Sequence, residues 1–139
     1  MRAMVWAGLG SAAMAALVAA CAPEAPAATG QYDFAALCVD CHGAQGKGDG
    51  PLAAGLTPRP VDVTVIATQN GGVFPKARVM SHIDGFTMGR GETPMPSFGD
   101  LLDGETVLYD SGDGIPTPTP RRLVALMEYV EELQVPAAE

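Results

Sequence analysis

Two cysteines and a histidine form the most informative pattern of this chain: Cys38, Cys41 and His42, in the spacing Cys-x-x-Cys-His. Thiols three positions apart can add across the two vinyl groups of a haem, and the histidine after the second thiol is then carried under the iron. There an imidazole nitrogen can bind the metal. The pattern predicts one covalently attached haem c, held through Cys38 and Cys41, with His42 as the proximal iron ligand.

A Cys-x-x-Cys pair also occurs in thioredoxin-like dithiols and as one half of a structural zinc site. The dithiol interpretation expects a βαβ context, and the zinc interpretation needs two further ligands. The chain offers one other cysteine, Cys21, and one other histidine, His82. Both alternatives predict a colourless protein, and haem attachment is the main prediction.

The first 20 residues predict a signal peptide of the lipoprotein type. Arg2 precedes an alanine-rich apolar run that is shorter and less apolar than a good membrane-spanning helix. The ending LVAAC, residues 17–21, resembles a bacterial lipobox, in which the cysteine is diacylated and becomes the mature N-terminus. We therefore predict export, lipidation of Cys21 and anchoring to a membrane on the periplasmic side. An ordinary signal peptide, cleaved after a nearby alanine, is the alternative.

The elements that must position the motif follow this leader. Residues 21–30 contain two prolines and no apolar periodicity, which predicts a flexible tether. Residues 31–135 have the length of one small domain. The chain is rich in Gly (17) and Pro (12) and poor in aromatic residues, so a covalently held haem would supply the central apolar mass of the domain.

Beyond the motif, most of the domain resembles class I cytochrome c. Gly30 and Phe34 lie eight and four residues before the first motif cysteine, so on a helix they share one face. In that family a glycine and an aromatic residue at these spacings let the N-terminal helix cross the C-terminal helix closely. An apolar stripe predicts a C-terminal helix, and Leu126 and Tyr129 within that helix resemble the other half of this contact.

The resemblance implies an all-α, cytochrome c-like fold, with three to five short helices wrapped around a covalently attached haem. Thr119 is expected to cap the last helix, with the next residue, a proline, at its first position. We predict helices near residues 31–39, 75–84 and 119–133, with short turns near 62–67 and 97–102.

A glycine-rich loop, residues 43–50, follows the motif, and its four glycines permit left-handed turns. In the family, a proline after such a loop offers its carbonyl group to the second nitrogen of the proximal histidine. Pro51 stands at this place in the chain. The resemblance therefore implies a hydrogen bond from His42 to Pro51 and makes Pro51 part of the cofactor-binding set.

Four side chains are candidates for the sixth iron ligand: Met80, Met88, Met95 and His82. Met80 and His82 fall in a predicted helix, where methionine usually packs in the core. Met95 lies in the segment TPMPSFG, which two prolines stiffen, and Met-Pro-x-Phe-Gly resembles the family's axial-methionine segment. The predicted distal ligand is Met95, while Met88, in a glycine-bounded turn, stays an open alternative.

One segment departs from the pattern of compact relatives. Residues 101–118 separate the methionine segment from the last helix, and their glycines, prolines and acids predict an exposed insertion. The spacing and the closing glutamate of a calcium loop are missing. Docking of a partner on this insertion is left open by the sequence.

Charge bounds the choice of partners. The formal net charge is −8, and without Arg2 the chain has 7 basic and 16 acidic side chains, a net charge of −9. An acidic surface repels nucleic acid and anionic lipid headgroups, so membrane association would come from the lipid. The same surface would steer the protein toward basic patches on redox partners.

Histidine–methionine ligation would fill both axial positions of the iron and raise its reduction potential. The sequence predicts a one-electron carrier that shuttles electrons between periplasmic or membrane redox partners. No nucleophile–base arrangement indicates an enzyme. Two alternatives remain: a haem relay subunit of a periplasmic dehydrogenase complex, and a haem-based ligand sensor in which Met95 is labile.

Overall fold

The computed structural model describes residues 26–86 and 95–136 of the chain. The predicted signal peptide, Cys21 with its lipidation, the first half of the tether and Met88 lie outside the described residues. None of the described helices has the length and apolar composition needed to cross a lipid bilayer. In chain order the described helices are α1 (Pro26–Leu37), α2 (Val39–His42), α3 (Ile66–Gln69), α4 (Lys76–Asp84), α5 (Gly99–Leu102) and α6 (Arg121–Glu132).

The three longer helices, α1, α4 and α6, lie where the sequence predicts them, and this part of the prediction is confirmed. The two predicted turns are also helical: a 3-10 turn at Val63–Val65 leads into α3, and α5 forms the other. Helix α1 begins at Pro26, inside the segment that was predicted as a tether. Proline suits the first helical position, because its missing N–H would have no partner there.

The core is built on the crossing of α1 and α6. At Gly30 the two backbones come so close that a Cβ atom would lie 2.1 Å from the carbonyl oxygen of Ala125. One turn further along each helix, the rings of Phe34 and Tyr129 meet with their centroids 5.4 Å apart and tilted by 58°. The predicted helix crossing is therefore confirmed, and it places the end of α1, where the motif begins, against the core.

Helix α6 buries a broad face, because α1 and α4 both pack against it. Leu126 and Met127 are fully buried on this face. Met80 and Ile83 of α4 complete the same apolar cluster, so Met80 is a core residue, as its helical position suggested. The buried face of α6 consists of Leu123, Val124, Ala125, Leu126, Met127 and Val130.

The insertion is partly ordered as a small antiparallel hairpin, in contrast to the predicted solvated loop. Strands β1 (Thr106–Tyr109) and β2 (Thr117–Pro120) pair in a register that places Val107 opposite Thr119. Val107 and Tyr109 are half-buried and pack on the core, while Leu108 between them is exposed. This alternation gives the strand one buried face. Residues 26–86 and 95–136 thus form a mainly helical fold with one small sheet, where the sequence predicted helices alone.

The predicted cap of the last helix is wrong. Helix α6 begins at Arg121 without a side-chain cap. Thr119 lies in β2, and its hydroxyl group donates to the carbonyl oxygen of Thr117 at 3.0 Å. Strand pairing continues to Pro120 and holds Thr119 in the sheet register, opposite Val107, so its hydroxyl group bonds within the strand.

Candidate cofactor-binding cavity

The Cys-x-x-Cys-His motif lies at the junction of α1 and α2. The backbone N–H groups of Cys41 and His42 both donate to the carbonyl oxygen of Cys38, at 3.2 and 2.8 Å. Because residues three and four positions apart share one face of a helical turn, the three side chains lie on the same side of the backbone. All three line one cavity.

This cavity has a volume of about 550 Å³. Pockets for small molecules and cofactors typically have roughly 300–1,000 Å³ and are mostly apolar. Its walls come from α1, α2, α4, α6, Leu52, the segment 56–69 and the segment 95–98. Apolar lining side chains include Phe34, Leu56, Ile66, Val79, Ile83 and Phe98. The cavity can therefore hold a largely apolar group next to two thiols and an imidazole.

The imidazole of His42 has a fixed orientation. Its Nδ1 lies 3.0 Å from the carbonyl oxygen of Val61, and a carbonyl can only accept, so Nδ1 carries the proton. The other nitrogen, Nε2, then has the lone pair that a metal ion needs. Pro51, the predicted partner, is exposed and does not line the cavity, so the hydrogen bond from His42 to Pro51 is a wrong prediction.

The path of the glycine-rich loop, residues 43–50, brings the carbonyl oxygen of Val61 to the imidazole of His42. The loop turns back on the motif through a hydrogen bond from the N–H of Gly48 to the carbonyl oxygen of His42, at 2.8 Å. Gly48 has a φ of +72°, and a Cβ atom there would lie 2.4 Å from the carbonyl oxygen of Pro60. The residue following Pro60 is thereby brought against the imidazole. Pro51 lies between Gly50 and Leu52, whose N–H groups donate to the carbonyl oxygens of Cys41 and Asp40, at 3.2 and 2.9 Å.

Met95 lines the same cavity and is half-buried. The segment that carries it is tied to the end of α4 at two points. The N–H of Phe98 donates to the carbonyl oxygen of Ile83 at 2.9 Å, and the hydroxyl group of Ser97 donates to the carbonyl oxygen of Asp84. These bonds hold the segment Met95–Phe98 along one wall of the cavity.

The structure separates the candidates for a second axial ligand. Met80 belongs to the core cluster and does not line the cavity, whereas His82 does. Met88 lies outside the described residues. Met95 and His82 are thus the candidates that the described part of the chain brings to the cavity together with His42.

The environment of Cys38 favours the neutral thiol. Burial raises its pKa to about 12, and the negative charges of Asp33 and Cys41 add to the effect. A dithiol that exchanges with disulfides needs a thiol with a lowered pKa, since the thiolate is the nucleophile. This electrostatic environment argues against the thioredoxin-like interpretation.

The zinc interpretation requires several ligating side chains close to one another. Within residues 26–86 and 95–136, no three side chains of His, Cys, Asp or Glu come together as a metal site would require. A structural zinc site needs four such ligands. The pair Cys38 and Cys41 therefore stands in this region as two thiols beside one imidazole.

Two arginines at the cavity were missed by the sequence analysis. Arg59 and Arg78 line the cavity with exposed side chains. Neither forms an ion pair within the described part of the chain, whereas Lys76, Arg121 and Arg122 each do. The sequence has only 8 Lys and Arg against 16 Asp and Glu. That scarcity of cations could have drawn attention to Arg59 and Arg78 as candidate binding residues. The two guanidinium groups give the rim of an apolar cavity a site for carboxylates.

Comparison with protein-family models, with curated proteins and with solved structures finds no match to this chain.

Proposed function

We propose that this chain is a class I c-type cytochrome that carries single electrons. The observation that supports the proposal most strongly is the convergence of Cys38, Cys41, His42 and Met95 on one apolar cavity. Two thiols beside an imidazole with a free Nε2 lone pair match the needs of a covalently attached haem. The residues present therefore fit one haem c.

Each of these side chains has a distinct role in the proposal. The thiols of Cys38 and Cys41 would hold the haem covalently through its two vinyl groups, an addition that needs no oxidant. His42 would offer Nε2 to the iron, while the Val61 carbonyl fixes the ring and raises its basicity. Met95 would offer a thioether as the second protein ligand.

Bound haem supplies an iron ion that accepts and releases one electron. The chain's residues decide what else that iron can do. If both His42 and Met95 held the iron, no position would stay open for oxygen or substrate, and a methionine ligand would favour the reduced state. Apolar lining side chains such as Phe34 and Ile83 keep water away from the site. These properties suit electron transfer better than catalysis.

Location and partners belong to the same proposal. The lipobox-like ending at Cys21 would anchor the protein by its lipid to a bacterial membrane on the periplasmic side. Its partners would be redox proteins, approached through an acidic surface that favours basic docking patches. Electron-transfer rates that do not change with ionic strength would contradict this steering.

The first test is a reduced-minus-oxidised visible spectrum, with a pyridine haemochrome, of protein matured in a host with cytochrome c assembly. Sharp reduced bands and haem that resists acid-acetone extraction are the expected result. A Cys38→Ala, Cys41→Ala double variant is the control and should release its haem. A colourless protein from that host would show that no haem is attached and would contradict the proposal.

Carbon monoxide separates the carrier from the sensor. The reduced carrier should not bind carbon monoxide, because Met95 occupies the axial position. Ready binding would favour the ligand sensor. Co-purification with a stoichiometric catalytic chain would instead assign the protein to a dehydrogenase complex.

A further inference from the structure

An ion pair between a buried carboxylate and a partly exposed arginine joins α1 to α6 beside the attachment motif. Asp33 lies in α1, five residues before Cys38, and its side chain is 1% exposed. Arg122, in the first turn of α6, donates from Nε and Nη2 to the two carboxylate oxygens at 3.1 and 2.5 Å. A carboxylate removed from water in this way needs a paired cation, because an unpaired buried charge is strongly destabilising.

The same guanidinium group makes a third bond, to another element. Its Nη1 donates to the carbonyl oxygen of Leu101 in α5, at 2.7 Å. The planar fork of an arginine can hold three acceptors in fixed directions, which a lysine cannot do. Arg122 thus links α1, α5 and α6 through one side chain.

Helix α5 is the direct continuation of the segment that carries Met95. The N–H of Leu101 donates to the carbonyl oxygen of Phe98 at 3.0 Å, and Phe98 is the last residue of that segment. Leu102 is 1% exposed and fixes α5 in the core. A displacement of α5 would therefore move the segment Met95–Phe98 along the cavity wall.

We propose that Arg122 is a positioning residue that holds the Met95 segment in register with the end of α1 that carries Cys38. The inference rests on the proposed function, because Met95 must stay within reach of an iron ion anchored beside Cys38, Cys41 and His42. The ion pair between Arg122 and Asp33 holds the guanidinium group against α1, and the hydrogen bond from Arg122 to the carbonyl oxygen of Leu101 holds α5. Loss of the guanidinium would let the segment Met95–Phe98 move away from the cavity wall more often.

The test measures how fast imidazole, as the probe, displaces Met95 in the oxidised holoprotein. Stopped-flow loss of the iron–thioether absorption band is followed in the wild type, in Arg122→Gln and in Arg122→Lys. Arg122→Lys, which loses the bond to Leu101, should exchange about ten-fold faster, the factor expected for loss of one charge-assisted hydrogen bond. Arg122→Gln, which also loses the ion pair with Asp33, should exchange at least as fast. Their reduction potentials should also fall, because methionine ligation favours the reduced iron.

Two controls separate positioning from general stability. Arg121→Gln removes the neighbouring, exposed ion pair with Glu105 and should exchange at the wild-type rate. Met80→Ala creates a defect in the core at a residue that does not line the cavity, and it should lower the urea midpoint of unfolding without a matching gain in the exchange rate. Equal acceleration in Met80→Ala and Arg122→Gln would overturn the inference.

The conservative variant keeps the experiment decisive. Arg122→Lys retains a cation for Asp33 but cannot also reach Leu101 in the same geometry, so it decides the matter if Arg122→Gln does not fold. If imidazole displaces Met95 in Arg122→Lys at the wild-type rate, the inference is overturned. A wild-type holoprotein without an iron–thioether band instead overturns the proposed function, and this outcome is visible before any variant is measured.

Discussion

Gly30 of α1 lies directly against the backbone of α6 at Ala125, where a methyl group on the glycine would come within 2.1 Å of the carbonyl oxygen. The contact lets Phe34 and Tyr129 meet one turn later. It also fixes the direction in which α1 ends, and therefore the place of Cys38. Two backbones can approach this closely only where one of them has no side chain.

Gly30→Ala should lower the free energy of unfolding by about 1–3 kcal/mol, the usual cost of inserting a methyl group into a packed contact. Gly55→Ala is the matched control, because a Cβ atom at Gly55 would meet nothing within 4 Å. Urea unfolding of both variants checks the prediction. Equal midpoints for the two variants would show that the close crossing does not limit stability.

The thiol of Cys38 should be slow to react in the folded, haem-free chain. Its pKa is raised from 9.0 to about 12, so few thiolates exist at neutral pH. Alkylation by iodoacetamide, in a Cys21→Ser, Cys41→Ser background, should be far slower than in the same chain in denaturant. Rapid alkylation of the folded chain at pH 7 would contradict the raised pKa.

The same shift predicts how the stability of the haem-free chain depends on pH. A thiol with a raised pKa in the folded state stabilises that state fully below its unfolded pKa of 9.0. This stabilisation should be lost as the pH rises from 9.0 toward about 12. Urea midpoints of the wild type and of Cys38→Ser across this range should converge.

Met95→Ala and Met80→Ala should affect different properties. Met95 lines the cavity, so its truncation should remove the iron–thioether band and lower the reduction potential. Met80 is buried in the core, so its truncation should cost about 2–5 kcal/mol of stability while the band stays. If the band stays in Met95→Ala, Met88 becomes the expected second iron ligand. If the wild type has a bis-histidine spectrum, His82 becomes the expected second iron ligand.

Arg59 and Arg78 should influence the reduction potential of the holoprotein. If they pair with the carboxylates of the bound group, their removal stabilises the oxidised iron. Arg59→Gln and Arg78→Gln should each lower the potential by an amount on the order of tens of millivolts. Arg121→Gln, whose side chain does not line the cavity, is the control. Unchanged potentials in both cavity variants would exclude this role.

The local part of the candidate site could be predicted from the sequence. Cys38, Cys41 and His42 lie within five residues, so a single helical turn decides their mutual placement. The hydrogen-bond partner of His42 could not be predicted in the same way. Val61 is 19 residues away, and its approach depends on the path of an intervening loop rather than on a local spacing.

The longer helices could also be predicted, because an apolar period of 3.6 residues marks a helix face wherever it occurs. The hairpin of β1 and β2 was not predicted. Each strand has four residues, and β2 contains two prolines, so neither carries a strong local signal. The strands exist because Val107 and Tyr109 can pack on the core, which is a tertiary property.

By itself, the sequence determined the chemistry that this chain can offer: two thiols and an imidazole in fixed spacing, a proline-flanked methionine and the helices that carry the core. Only the tertiary structure decided which side chains share the cavity. It placed Met95 there and Met80 in the core, brought Arg59 and Arg78 to the rim, and joined Asp33 to Arg122 across 89 residues. The physical reason is that spacing governs contacts within one helical turn, whereas contacts between distant segments depend on how the whole core packs.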